Sequence, residues 1–205
     1  MPSVNTIIPL IGGKYYHIYN RGINKSQIFF KQENYSYFLL LWKKYLSDNV
    51  NVLAYCLIPN HFHFLIKLNE KISIQDGENR IEITDEIMIG KNVSEAFRRL
   101  FIAYSQAVNI QENRTGSLFQ RNFKRIEIED DNHLKYLFFY IHYNPEHHRL
   151  ISDFKDYRFS SYKAYITNQS TKIAKHFGLE IFDGKNNFLD YHKYQHEEKE
   201  FLTLE

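Results

Sequence analysis

The sequence has one cysteine, and it lacks any long apolar run. Cys56 has no second cysteine to pair with, so an internal disulfide is excluded. No stretch approaches the roughly 18 apolar residues of a membrane-spanning helix, and the first 16 residues lack the basic start and apolar stretch of a signal peptide. We therefore expect a cytoplasmic protein with no membrane partner. A chain of 205 residues buries about two thirds of its unfolded surface and needs no disulfide or metal to fold.

A large charge of either sign is also absent, but the charges are unevenly placed. The chain has 26 Lys+Arg and 24 Asp+Glu, for a net charge of +2. Residues 69–90 carry six acids and two bases, whereas residues 114–125 carry four bases and no acid. A basic stretch in a nearly neutral protein is expected where one face meets a polyanion. A solvated charged surface is the alternative.

Apolar periodicity predicts four strands and four helices in mixed order. The strands are predicted at 14–19, 50–58, 61–68 and 123–129, and the helices at 33–46, 93–112, 133–143 and 160–167. Pro145 is expected to end the third helix. This order predicts an α+β fold in which helices cover one face of an antiparallel sheet.

Two segments stand apart from these elements. The acidic residues 69–92 have no clean period and are predicted to form a loop or weak hairpin, inserted in a domain that spans residues 1–168. Residues 169–205 are rich in Lys, Glu and His and are predicted to form a polar C-terminal extension.

Two histidines flank a phenylalanine in the predicted strand that begins at His61. Residues two apart share a face of a strand, so His61 and His63 can present two imidazoles to one metal ion while Phe62 points into the core. Two ligands alone make a poor metal site. The alternative is a pair of histidines on a solvated strand face.

Tyr140 and Asn144 are four residues apart, one turn of the predicted helix. Their phenol and amide oxygens can therefore reach the same point, which suits a metal-bound phosphate that the phenol attacks in line. The ordinary pKa of tyrosine is about 10, so such a nucleophile needs a metal, a base or a good leaving group. Alternatively, Tyr140 lies on a helix surface and Asn144 is only a helix cap before Pro145.

Five segments, taken in order, resemble the single-tyrosine HUH transposases, especially the REP-associated tyrosine transposases. The segments are YHIYNRG (16–22), YCLIPNHFHFLI (55–66), GSLFQRNFKRIEIED (116–130), YIHYNP (140–145) and YRFSSYKAY (157–165). The resemblance spans about residues 14–165. It implies a ferredoxin-like, RRM-like antiparallel sheet in which the histidine strand is central.

The resemblance also implies a chemistry for these residues. His61 and His63 would bind a divalent cation, Mg²⁺ or Mn²⁺, and Asn144 would complete the ligand set. Tyr140 would attack single-stranded DNA, leaving a 5′-phosphotyrosine link and a free 3′-hydroxyl; a second 3′-hydroxyl would then reverse the attack and transfer the strand. The expected substrate carries a hairpin. Family dimers can place the tyrosine helix of one chain against the histidines of the other, so a homodimer is among the expected partners.

Basic residues lie between the two halves of this predicted site and are expected to bind DNA phosphates. They are Arg114, Arg121, Lys124 and Arg125. Phe119 and Phe123 alternate with them and either stack on bases or belong to the core. Three residues end the first strand and are expected near the histidine strand if the two strands pair: His17, Asn20 and Arg21. Arg21 is then expected to join the DNA-binding set. The alternative is that Asn20, Arg21 and Gly22 form only a turn.

Three further histidines are expected to lie away from the site: His142, His147 and His148. They either point away from the helix face that carries Tyr140 and Asn144 or follow Pro145. Two other functions stay open at this stage. One is a binding module for structured DNA or RNA that has no catalysis. The other is a metal-dependent nuclease in which water, not Tyr140, is the nucleophile.

Overall fold

The computed structural model describes residues 8–77 and 79–197. The strands are β1 (Tyr15–Arg21), β2 (Val50–Ile58), β3 (His61–Leu68), β4 (Ile72–Asp76), β5 (Asn79–Ile83) and β6 (Lys124–Ile128). The helices are α1 (Gln32–Leu46), α2 (Glu86–Gln111), α3 (Asp131–His147), α4 (Tyr162–Ile166), α5 (Lys175–Glu180) and α6 (Lys185–Glu197). Two short 3₁₀ turns cover Ile23–Lys25 and Phe154–Asp156. Within these residues, every helix is too short or too polar to span a membrane.

The main sheet is antiparallel and has four strands in the order β2-β3-β1-β6. β3 is therefore central, with β2 on one side and β1 on the other. In the β1–β3 pair, Tyr19 lies opposite His63 and Arg21 lies opposite His61. The predicted α+β class, the antiparallel sheet and the central histidine strand are confirmed.

Helices cover both faces of the sheet, so the prediction that they cover only one face is wrong. Phe62, Phe64 and Ile66 point into a first core that contains residues of α1 and α2. Leu65 points into a second core that contains residues of α3 and the C-terminal helices. Both faces of β3 are buried: every residue except Lys67 is buried, including His61 and His63 on the face that carries Leu65.

The acidic segment forms the β4–β5 hairpin, and α2 begins immediately after it. Asp85 caps this helix by accepting a 2.7 Å hydrogen bond from Met88 N. α2 thus begins seven residues before the predicted Val93. Gly90 lies inside this added part, where a Cβ atom would be 1.6 Å from the carbonyl oxygen of Leu10. Glycine is unfavourable inside a helix, but here Gly90 allows close packing against the N-terminal segment.

Pro145 does not end α3, which runs on to His147. Proline has no N–H, so the helix loses the hydrogen bond that residue 145 would donate to the carbonyl oxygen four residues earlier. Tyr143, Asn144 and Pro145 are all buried. Burial therefore holds the final turn, which the local sequence alone would not favour.

The C-terminal segment packs on the sheet rather than trailing from it. Phe182 and Phe188 are at most 3% exposed and belong to the second core, and His192 is fully buried with its ring centre 4.0 Å from that of Phe188. Ala174 N donates a 2.8 Å hydrogen bond to the carbonyl oxygen of Val52 in β2. Although the segment is polar in composition, it contains a narrow stripe of buried side chains. The last part of the predicted extension, residues 198–205, lies outside the described residues.

Candidate active site

The two histidines of β3 lie beneath α3. His61 and His63 are 3% and 2% exposed, and their ring centres are 5.0 Å apart with the ring planes at 86°. They share a face because they are two residues apart on one strand. That face is closed by α3, so the pair is not on a solvated surface.

Helix α3 brings Tyr140 and Asn144 to the same histidines. The Tyr140 ring meets the rings of His63 and His17 edge-on, at centre distances of 5.6 and 6.3 Å. One turn later, Asn144 Nδ2 lies 3.5 Å from His63 Nε2. The predicted nucleophile and the three predicted metal ligands thus come together within one chain.

A cavity of about 370 Å³ opens in front of these residues. It is lined by His17, Tyr19, Asn20, Arg21, His61, His63, Gln120, Lys124, Ile126, His133, Leu137 and Tyr140. None of these lining residues is acidic, and two are basic side chains predicted to bind DNA. The cavity is therefore suited to an anionic ligand.

His63 is held in its neutral form. Burial is the main cause that lowers its pKa well below the ordinary value, and the neighbouring His17, His61, His148 and Arg21 lower it further. His63 Nδ1 also lies 2.9 Å from His17 Nε2. A neutral imidazole is the form that binds a metal.

The site residues fit a divalent cation through two imidazoles and one amide. Among residues 8–77 and 79–197, no three His, Cys, Asp or Glu side chains are grouped to hold a metal. The predicted third donor, Asn144 Oδ1, is buried and has no hydrogen-bond partner among the described residues. A buried carbonyl oxygen without a partner is costly, and a bound cation would satisfy it.

Similarity to a known family covers the part of the chain that holds the predicted site. A family model described as "Transposase IS200 like" matches residues 12–144, a range that includes every residue of the predicted catalytic and metal sets. The chain belongs to the IS200-like transposase family. This IS200-like transposase is 27% identical over 137 residues to a Haemophilus influenzae protein assigned as a REP-associated tyrosine transposase, covering 58% of the chain and 72% of that protein.

A solved structure of a REP-associated tyrosine transposase bound to a REP hairpin matches this transposase with a TM-score of 0.58. The identity is 17%, and the match covers 81% of this chain and 86% of the other. At this identity the likeness shows the fold. It agrees with the mixed α+β architecture and its antiparallel sheet.

The predicted DNA-binding residues of the transposase fall in three places. Arg21 and Lys124 line the cavity in front of the histidines. Arg121 and Arg125 line a second cavity, of about 550 Å³, which shares Asn20 and Gln120 with the first. Arg114 lines neither cavity, and its guanidinium lies 5.7 Å from the ring centre of Phe30.

Of the two phenylalanines between these bases, Phe119 is part of the protein interior and Phe123 is partly buried; both line the second cavity. Phe119 is 7% exposed and belongs to the first core. Phe123 packs against that core, and the Arg125 guanidinium lies 4.2 Å from the centre of the Phe123 ring. The core alternative for Phe119 is therefore confirmed.

Sequence reasoning missed one histidine beside the site, His148, and only suggested another, His17. His17 contacts His63 because β1 and β3 are paired strands. His148 was expected to lie away, but its ring centre is 4.8 Å from that of His61. It is placed there because α3 continues past Pro145. His142, in contrast, is buried in the second core against His192, and His147 is exposed.

Proposed function

We propose that this transposase is a metal-dependent enzyme that cleaves and rejoins single-stranded DNA through a covalent link to Tyr140. The observation that carries the proposal is the edge-on contact between Tyr140 and His63 inside a basic cavity. The phenol and the amide oxygen lie one turn apart on α3, and the two imidazoles lie two residues apart on β3. This combination supports phosphoryl transfer better than binding alone.

Tyr140 is the proposed nucleophile. Its phenol oxygen forms a bond to phosphorus while the bond from phosphorus to the 3′ oxygen breaks. The phenol proton is lost, the leaving oxygen gains a proton as the 3′-hydroxyl, and the phosphate stays on Tyr140 as a 5′-phosphotyrosine. The number of phosphodiester bonds does not change, so a second 3′-hydroxyl can reverse the step and join a different strand.

His61, His63 and Asn144 are the proposed ligands of Mg²⁺ or Mn²⁺. When bound, the ion would neutralise charge on the phosphate oxygens that develops during the attack. The neutral state of His63 and the buried Asn144 Oδ1 support this ligand set. The chain itself supplies the fixed geometry, because these side chains are held between β3 and a buried helix.

DNA is proposed to reach the site along the basic residues. Arg21 and Lys124 would contact the phosphates nearest Tyr140, and Arg121 and Arg125 would contact those in the adjoining cavity. Arg114 is also proposed to bind a phosphate, outside these two cavities. A hairpin in the DNA is proposed because the structural relative is bound to a REP hairpin.

The decisive experiment uses end-labelled hairpin DNA from the sequence that flanks the gene. The DNA is incubated with Mn²⁺ or Mg²⁺, and protein–DNA adducts are separated on a denaturing gel. We expect an adduct that requires metal and is lost in Tyr140→Phe and in His61→Ala. Tyr136→Phe is the matched control, because Tyr136 lies one turn earlier on α3 with its ring centre 6.5 Å from that of Tyr140.

The other outcomes identify the alternatives. Free cleaved DNA that persists in Tyr140→Phe would show that water is the nucleophile and that the protein is a nuclease. Binding of the hairpin without any cleavage by the wild-type protein would show a binding module.

A further inference from the structure

Asn60, in the turn between β2 and β3, has a side chain that contacts partners on both sides. Its Oδ1 atom lies 2.8 Å from Nδ1 of His61, and its Nδ2 atom lies 3.3 Å from the backbone carbonyl oxygen of Lys25. A backbone carbonyl only accepts hydrogen bonds, so the atom that faces Lys25 must be the amide nitrogen. The orientation of the amide is thereby fixed.

That orientation determines which nitrogen of His61 carries the hydrogen. The atom of Asn60 that faces His61 is Oδ1, and an amide oxygen can only accept. His61 Nδ1 must therefore carry the hydrogen and donate it. In a neutral imidazole the other nitrogen, Nε2, then keeps its lone pair.

The loop of residues 22–25, which supplies the Lys25 carbonyl oxygen, is hydrogen-bonded to the same turn. Asn24 and Lys25 both have left-handed backbone angles, with φ of 53° and 59°. Gly22 N donates a 2.9 Å hydrogen bond to the carbonyl oxygen of Asn60. Asparagine tolerates this region, but a lysine is strained in it and persists there only where the surroundings enforce the conformation. The strained loop thus holds the Asn60 amide from the side opposite His61.

We propose that Asn60 is a positioning residue, which fixes His61 in the Nδ1–H form so that Nε2 is the nitrogen offered to the catalytic cation. The inference rests on the proposed function, in which His61 is a ligand. Partners of ligating histidines normally act in this way, by fixing the tautomer and the ring orientation. Asn60 touches neither DNA nor cation in this role; it acts through His61.

The first test reads the tautomer directly in the metal-free protein. Two-bond ¹H–¹⁵N spectra distinguish an Nδ1–H from an Nε2–H imidazole. We expect the Nδ1–H form for His61 in the wild type and a shift towards the Nε2–H form in Asn60→Ala. An Nε2–H form in the wild type would overturn the proposal, and this result does not depend on the variant folding.

The second test measures Mn²⁺ affinity by calorimetry. Loss of such a partner typically weakens metal binding about 10- to 100-fold, which we expect for Asn60→Ala. Asn60→Asp keeps an acceptor for His61 Nδ1 and should restore the affinity. Asn49→Ala is the control, because Asn49 also bonds a backbone carbonyl, that of Tyr45, at 3.2 Å but lies at the other end of β2.

The outcomes separate this proposal from the proposed function. Equal losses in Asn60→Ala and Asn60→Asp, with the tautomer unchanged, would assign Asn60 a purely structural role and overturn the inference. A wild-type protein that binds no Mn²⁺ would contradict the proposed metal site, while the spectra would still decide how Asn60 acts on His61.

Discussion

The ring of Tyr140 meets the ring of His63 edge-on within one chain, with the ring centres 5.6 Å apart and the ring planes at 83°. Tyr140 is 3% exposed, and its neighbours Leu137, Phe138 and Ile141 are buried in the second core. To place Tyr140 on another chain, α3 would have to leave this core and pack in the equivalent core of that chain. In this structure Tyr140, His61, His63 and Asn144 all come from one chain.

A mixing experiment tests this arrangement. Tyr140→Phe keeps the histidines and His61→Ala keeps the tyrosine, so two chains that exchanged helices would rebuild one intact site. We expect no covalent adduct when the two variants are mixed, because each chain supplies its own Tyr140. Wild-type protein mixed with His61→Ala is the positive control. Recovery of adduct in the mixture of variants would demonstrate a site shared between chains.

The basic residues of the cavity give a prediction about salt. Arg21 and Lys124 line the cavity, and each contact with a phosphate releases about one counterion from DNA. Arg21→Ala and Lys124→Ala should each weaken hairpin binding and lower the slope of log affinity against log salt by about one. Fluorescence anisotropy at several salt concentrations measures both quantities.

The control for these variants is Lys71→Ala. Lys71 pairs with Glu82 on the β4–β5 hairpin at 3.3 Å and lines neither cavity. Its loss should leave the slope unchanged. A slope that falls equally in Lys71→Ala and Lys124→Ala would show that general charge, rather than this cavity, attracts the DNA.

Much of the sheet could be predicted from the sequence because its signals are local. The alternation of Phe62 and Phe64 with His61 and His63 defines both faces of β3 without knowledge of any other element. The bond from Asn60 to His61 also joins neighbours in the sequence. The side-chain contact of His17 with His63 depends instead on the register of β1 against β3, which a local pattern does not reveal.

The ends of the helices were harder to predict, because tertiary packing decides them. Gly90 and Pro145 are unfavourable inside an isolated helix. Gly90 is kept by close contact with Leu10, and the turn around Pro145 is kept by burial. The longer α3 is what brings His148 beside His61, so an error in one helix end hid a residue of the site.

The C-terminal segment is expected to be necessary for stability. Phe188 on α6 is fully buried, with its ring centre 4.7 Å from that of Tyr165. Removal of a buried phenylalanine ring typically costs about 3 to 5 kcal/mol, so Phe188→Ala should lower the free energy of unfolding by that amount. Tyr194 on the same helix is 58% exposed, and Tyr194→Ala should change it by less than about 0.5 kcal/mol. Urea unfolding checks both values, and similar values for the two variants would contradict a docked α6.

A buried pair of histidines, His142 and His192, is expected to make the stability of the protein depend on pH. His192 Nε2 lies 3.0 Å from His142 Nδ1, and Ser161 Oγ lies 2.8 Å from the other nitrogen of His142. Burial lowers the pKa of His192 to about 4, although its bond to the Phe188 carbonyl acts in the opposite direction. Burial is also the main cause that lowers the pKa of His142, and the nearby His192 adds to the effect.

Because an unfolded histidine has a pKa of about 6.5, the unfolded chain binds more protons than the folded chain between pH 6.5 and 4. His192 therefore does not reduce the free energy of unfolding above pH 6.5. It reduces that free energy increasingly as the pH falls towards 4. Between pH 7.5 and 5.0 the loss for this one residue is about 2 kcal/mol. His192→Gln should show a shallower decline in the free energy of unfolding over this range. His176→Gln is the control, because the His176 side chain is 91% exposed. An unchanged pH slope in His192→Gln would show that His192 does not keep its neutral form in the folded protein.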